Sequence, residues 1–163
     1  MKNLFLMLAV CAGAALAQDV KFYRLDFSVK ELEDTKVLST KKYTTYMGSS
    51  AENKLFARNA QIRAGSKVPY QTGPNSTNFA DVGVNIDSNE LREMNGQLAL
   101  FVNAEISSIP AQEGPLTGFP MIRQNRWGSW VIVEPGKAVT LFSSDDLNSR
   151  RKLQLELTAT LVK

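Results

Sequence analysis

Between Phe79 and Ile109 the chain reads FADVGVNIDSNELREMNGQLALFVNAEISSI, and this run constrains the fold more than any other. Asn95-Gly96 tolerates the positive φ that both central residues of a type I′ turn require, so two strands are predicted to meet there. Beyond the turn Leu98, Leu100, Val102, Ala104 and Ile106 alternate with Ala99, Phe101, Asn103 and Glu105, which leaves one face almost wholly apolar. Such a face needs a core against it. Strict pairing about the turn conflicts with that need, because it sets Val84 against Ser107 and Ile86 against Glu105. One extra residue between Ser88 and Glu93 would bring Val84 opposite Ile106 and Ile86 opposite Ala104, so a β-bulge or a local break in pairing is predicted there.

The same two-residue period runs through the rest of the chain. From Val20 to Leu32, Tyr23, Leu25, Phe27 and Val29 share one side of an amphipathic strand. A charged turn, Glu31 to Lys36, leads into Val37 to Met47, rich in Thr, Tyr and Val, and the two form a predicted hairpin. Gly48-Ser49-Ser50 ends it, Ala51 to Asn53 allows one helical turn, and Leu55 to Arg63 resumes a mostly polar alternation. Ala64 to Asn78 is expected to be an exposed loop with a short extended piece at Lys67-Val68-Pro69. Its Asn75-Ser76-Thr77 matches the N-glycosylation triplet, which is short enough to arise by coincidence. Pro110 to Pro120 carries three prolines and two glycines and forms a second expected loop.

Trp127 to Val133 and Ala138 to Ser143 flank Glu134-Pro135-Gly136-Lys137, whose Pro and Gly specify a type II turn. A hairpin across that turn would set Trp130 beside Leu141 and Ile132 beside Val139 as a second core face. Trp130→Ala would then cost about 3–5 kcal/mol. The last strand, Lys152 to Val162, alternates Leu153, Leu155, Leu157, Ala159 and Leu161 with polar residues. About seven strands with Gly/Pro loops and no long helical pattern predict an all-β fold, an antiparallel sandwich or open barrel.

The first residues have another reading. Lys2, the apolar run Leu4 to Val10 and Ala15-Leu16-Ala17 match a secretory signal peptide over residues 1–17, leaving 18–163 as a single β-domain exported from the cytoplasm. Val10 is larger than the small residue expected before an acylated cysteine, which favours cleavage after Ala17 over lipidation at Cys11. Cys11 is the sequence's only cysteine, so the predicted mature chain has no disulfide to draw on and depends on packing. No later segment approaches the roughly 20 apolar residues of a membrane-spanning helix. A formal net charge of +3, spread along the chain without an aromatic-interleaved basic cluster, argues against nucleic acid as partner. The absence of histidine excludes the usual Ser-His-Asp and Cys-His sites and removes the commonest zinc ligand. No cofactor is expected.

Several segments, taken together and in order, resemble the C-terminal β-domain of bacterial secretins, the outer-membrane gates of type II and type III secretion and type IV pilus systems. Ile62 to Tyr70 is similar to a segment with a Gly-x-x-Val-Pro signature, Phe79 to Ile86 to the strand that follows it, and Leu98 to Ile109 to a strand ending in Glu-Ile-Ser-Ser. Pro120 to Arg126, the turn at Pro135-Gly136 and the pair Arg150-Arg151 resemble later features. The likeness covers roughly residues 59–162, in a divergent and truncated form. Secretins carry ring-building domains before the β-domain, where this chain has residues 18–58. Phe142-Ser143-Ser144-Asp145-Asp146 stands where they have a Gly-Gly-Leu-like strand exit. The resemblance therefore implies a small non-enzymatic protein of the periplasm, outer membrane or cell exterior. It would act through a protein partner or self-association and be linked to protein secretion, rather than form a pore gate on its own.

Arg123, Arg126, Trp127, Lys67 and Tyr70 are the candidate interaction surface, with the two expected loops beside them. Trp127 with Arg123 and Arg126 also suggests an envelope or carbohydrate-binding module, since aromatic faces and Arg forks are common recognition elements. Asp81, Asp87 and Glu105 are the only carboxylates that invite comparison with a hydrolase acid pair, and nothing in the sequence fixes their separation. Asp145-Asp146 with Asn148 and Ser149 offers oxygen ligands but lacks the spacing of a calcium loop, so a solvated turn is expected. Arg150 and Arg151 should point to opposite faces of a strand.

Overall fold

The computed structural model describes residues 20–49, 59–73, 75–109, 120–146 and 150–162. Eight strands occupy them: β1 (Lys21–Glu33), β2 (Lys36–Ser49), β3 (Asn59–Gly73), β4 (Ser76–Met94), β5 (Gln97–Ser108), β6 (Arg123–Val133), β7 (Ala138–Asp145) and β8 (Arg151–Leu161). They form two four-stranded sheets, ordered β2-β1-β8-β7 (sheet A) and β3-β4-β5-β6 (sheet B), with every neighbouring pair antiparallel. The two ends of the chain thus build sheet A and its middle builds sheet B. Neither sheet closes on itself, so the fold is the open sandwich rather than a barrel.

Alternation explains which face of each strand is buried. Leu25 and Phe27 of β1 and Leu155 and Leu157 of β8 are fully buried on sheet A. Ile86, Leu98, Leu100 and Val102 meet them from sheet B. In the β4–β5 hairpin, Asn95 and Gly96 take φ of 52° and 80°, as a type I′ turn demands. Val84 pairs with Ile106 and Ile86 with Ala104, and the register shifts between Asn89 and Arg92. The predicted bulge is present there. Glu90 and Leu91 together oppose Leu100; Glu90 carries the positive φ (54°) and Leu91 is driven into the core.

Two expectations fail. Ala64 to Asn78 is not a loop, because β3 runs on to Gly73 and β4 starts at Ser76 in register, with Val68 opposite Ala80 and Pro69 opposite Phe79. Turn-forming residues concealed an edge strand, where a proline is tolerated because one side of the backbone has no neighbour. The second failure is the β6–β7 hairpin. Gly136 (φ 82°) and the 3.1 Å bond from Lys137 N–H to the Glu134 carbonyl form the expected type II turn, but the turn carries the chain from one sheet to the other. β6 pairs with β5, placing Trp130 opposite Phe101 and Ile132 opposite Ala99, while β7 pairs with β8. Val139 and Leu141 do pack on the core, from sheet A, whereas Trp130 and Ile132 are 51% and 64% exposed on the outside of sheet B.

The strand expected from Leu55 begins at Asn59 among the described residues. The signal peptide, the helical turn at 51–53 and most of the loop at 110–120 lie outside them.

Candidate functional site

The five residues singled out as an interaction surface do not converge. Arg126 Nε lies 2.9 Å from Glu105 Oε2, and Arg123 Nη1 donates to Asp146 Oδ2 at 2.7 Å. Lys67 faces Asp81 at 3.3 Å, well out in solvent. Tyr70 is buried. Trp127 turns inward against the core, its ring centroid 6.5 Å from that of Phe142. Trp127 and Trp130 are three residues apart on one strand, so they face opposite ways. Pairing β6 with β7 instead of β5 inverts which of them is outside.

Trp130 is the exposed aromatic that sequence reasoning missed. It meets Phe101 edge-on, with centroids 5.9 Å apart and planes at 68°, and the Arg92 guanidinium lies 5.9 Å from its ring. Ile132 beside it and Met94 (57% exposed) at the β4 end give the outer face of sheet B an apolar end. The signal that could have found it is the apolar demand of Phe101 and Ala99 on the outer face of β5.

Farther along that face, at the β3 edge, is a shallow groove of about 340 Å³ lined by Arg63, Lys67, Asp81, Asn85, Glu105 and Ser107. Its floor is the cross-strand pair Gly65 and Gly83. A Cβ on Gly65 would meet the Val82 carbonyl oxygen at 2.6 Å, and one on Gly83 (φ 155°) would collide with the Ala64 backbone. Both positions exclude any larger residue, and the sheet is left bare there. Regular β4–β5 pairing runs no farther than Val84 with Ile106; the Gly83 N–H donates instead to Ser107 Oγ at 3.0 Å.

The carboxylates are individually matched by cations. Asp87 bonds Arg63 at 2.6 Å, and Glu105 takes Gln124 at 2.6 Å as well as Arg126. Asp145 faces Lys152 at 3.3 Å, and no group of three His, Cys, Asp or Glu residues among the described residues could hold a metal. Arg151 bonds Glu31 of β1 at 3.0 Å.

A separate polar cluster joins the sheets. Glu93 of β4 accepts from Lys21 Nζ at 2.6 Å and from Ser49 Oγ at 2.8 Å, bridging to β1 and β2. Partial burial by itself would raise the Glu93 pKa, but hydrogen bonds from Lys21, Ser49 and Tyr23 and the charge of Lys21 together hold it below the ordinary carboxylate value. Lys21 is raised by its hydrogen bond to Glu93 and by that residue's charge, and Tyr23 by burial and then by Glu93.

No family model matches the sequence, and no curated protein matches it. Solved structures do. The secretin InvG of the Salmonella SPI-1 type III secretion injectisome aligns with a TM-score of 0.51 at 8% identity, over 88% of this chain and 64% of that one. InvG in the Salmonella basal body with PrgH and PrgK gives the same score and identity over 88% and 45%. The type II secretin XcpQ of Pseudomonas aeruginosa aligns at 0.44 and 15% identity, over 88% and 57%. The chain spans less than two thirds of the length of each. Its fold is that of a secretin-like β-domain.

Proposed function

We propose that this chain is an exported, non-enzymatic secretin-like protein of the bacterial envelope that acts by joining strand edges, to further copies of itself, in connection with protein secretion. The observation that carries this reading is the parity of the sheets. Each has four strands with every neighbour antiparallel, so its two edges run in opposite directions. Copies placed side by side can then add β6 to the next β3, and β7 to the next β2, always antiparallel. A head-to-tail contact of this kind closes into a ring when its rotation allows, and closure removes every edge.

The edges themselves fit. β2 and β3 are long, at 14 and 15 residues, and carry lysines and Pro69, whereas β6 and β7 have neither lysine nor proline. β6 and β7 still carry charge at Arg123, Arg126 and Asp145, so their edges are less guarded rather than bare. Placement in the periplasm, outer membrane or exterior follows from the signal-peptide reading and from the company of the fold.

Light scattering on the purified mature chain, with and without detergent, tests the proposal. Masses at multiples of the protomer are expected. A strict monomer under both conditions at micromolar concentration would refute it.

A further inference from the structure

The outer face of sheet B carries a knob at one edge and a hollow at the other. Trp130 is the knob, half exposed on edge strand β6 and braced from behind by Phe101. The hollow is the groove over Gly65 and Gly83, which opens at edge strand β3 and is walled by Arg63 and Lys67.

The geometry points to a second copy of this chain as the occupant of that hollow: where β6 of one copy joins β3 of the next, Trp130 lies over Gly65 and Gly83. This rests on the edge-pairing reading above and goes beyond it by fixing the register. The outward residues of β6 are Arg126, Gly128, Trp130 and Ile132, and those of β3 are Arg63, Gly65, Lys67 and Pro69, so only every second register keeps outside with outside. With Trp130 opposite Gly65, the inner side matches Val133 with Ile62, Val131 with Ala64 and Trp127 with Val68. Apolar packing then continues across the joint except where Ser129 meets Ser66 and Asn125 meets Tyr70. All 11 residues of β6 find partners within the 15 of β3.

The neighbouring registers are worse. Slipping two residues one way puts Arg126 against Lys67 and Gly128 over Gly65, which opposes like charges and leaves the hollow empty. Slipping two residues the other way carries Arg123 past Gly73, the end of β3. An aromatic ring laid across a glycine of the adjoining strand restores contacts the glycine lacks, and Arg63 and Lys67 bring cations to its rim. Pro69, opposite Arg126, costs the joint one hydrogen bond.

Cysteine pairs test the register in the exported chain, whose sequence has no cysteine besides Cys11. Ser66→Cys with Ser129→Cys, and separately Lys67→Cys with Gly128→Cys, should give a ladder of disulfide-linked multimers under mild oxidation. Ser129→Cys with Gln71→Cys should not. Trp130→Ala should weaken association by roughly tenfold or more while shifting the unfolding curve of the dilute protomer far less than the loss of a fully buried aromatic would, and Trp130→Phe should restore most of the lost association. A ladder from the displaced pair, no ladder from either matched pair in a protein that still assembles by light scattering, or assembly indifferent to Trp130→Ala overturns this register and leaves edge pairing standing. Loss of all assembly in the parent protein overturns both.

Discussion

Deleting Glu90 removes the extra residue of the β4 bulge, and the structure allows the result to be worked out. Ser88 faces inward opposite Val102 and Asn89 outward opposite Phe101; past the bulge Arg92 faces outward opposite Ala99. Without Glu90, Leu91 falls opposite Leu100 and still points into the core, so every other residue keeps its face. The deletion also removes a non-glycine residue from φ of 54°, a conformation that costs about 1–2 kcal/mol. Against this stands the loss of the exposed Glu90–Arg92 ion pair, worth about 0–1 kcal/mol. A net gain of about 1 kcal/mol is expected, seen as a rise of roughly 2–4 °C in the thermal midpoint. Deleting Asp87 instead straightens the same strand but turns Asn89 into the buried place of Ser88, which strands an amide at a cost of about 1–3 kcal/mol, and removes the partner of Arg63. Thermal and urea unfolding of the two variants beside the parent is the assay. If deletion of Glu90 lowers stability, or the two deletions behave alike, the bulge is not a spare residue inserted between two correct registers.

Other consequences are simpler to read. Phe27→Ala, in the fully buried centre of β1, should cost about 3–5 kcal/mol in urea unfolding, while Trp130→Ala should cost the dilute protomer well under half of that. Because the folded pKa of Glu93 is depressed, the stability it contributes is present above its unfolded value near 4.5 and disappears as pH falls through the folded value. Glu93→Gln should therefore be less stable than the parent at neutral pH and converge with it in strong acid, by melting followed from pH 7 to pH 3. Gly83→Ala forces a Cβ into the Ala64 backbone at a positive φ, and a loss of at least about 2 kcal/mol or failure to accumulate as soluble protein is expected.

Period-two patterning makes much of this fold readable from the sequence. The faces of β1, β5 and β8 follow from their leucines and aromatics, and the bulge follows from requiring that Val84 and Ile86 meet apolar partners. Where the reading failed, the pattern was carrying less information. The β3–β4 extension has few apolar residues, and its Gly, Pro, Ser and Asn residues favour turns in isolation, so only the pairing with a neighbouring strand identifies it as sheet. The turn at Pro135-Gly136 was readable as a type II turn, but no local feature states whether the strands beside it pair with each other or part into two sheets. That one ambiguity exchanged the environments of Trp127 and Trp130, and with them the candidate surface. The groove at Gly65 and Gly83 depends on two glycines 18 positions apart becoming cross-strand partners, which local sequence does not reveal.

Electron microscopy of negatively stained protein lacking residues 1–17 puts the edge-pairing account to its most direct test. The account predicts closed, rotationally symmetric rings, in which every β6 edge meets a β3 edge. Isolated protomers at concentrations where other ring-forming proteins assemble, or open fibres of irregular pitch, would contradict it.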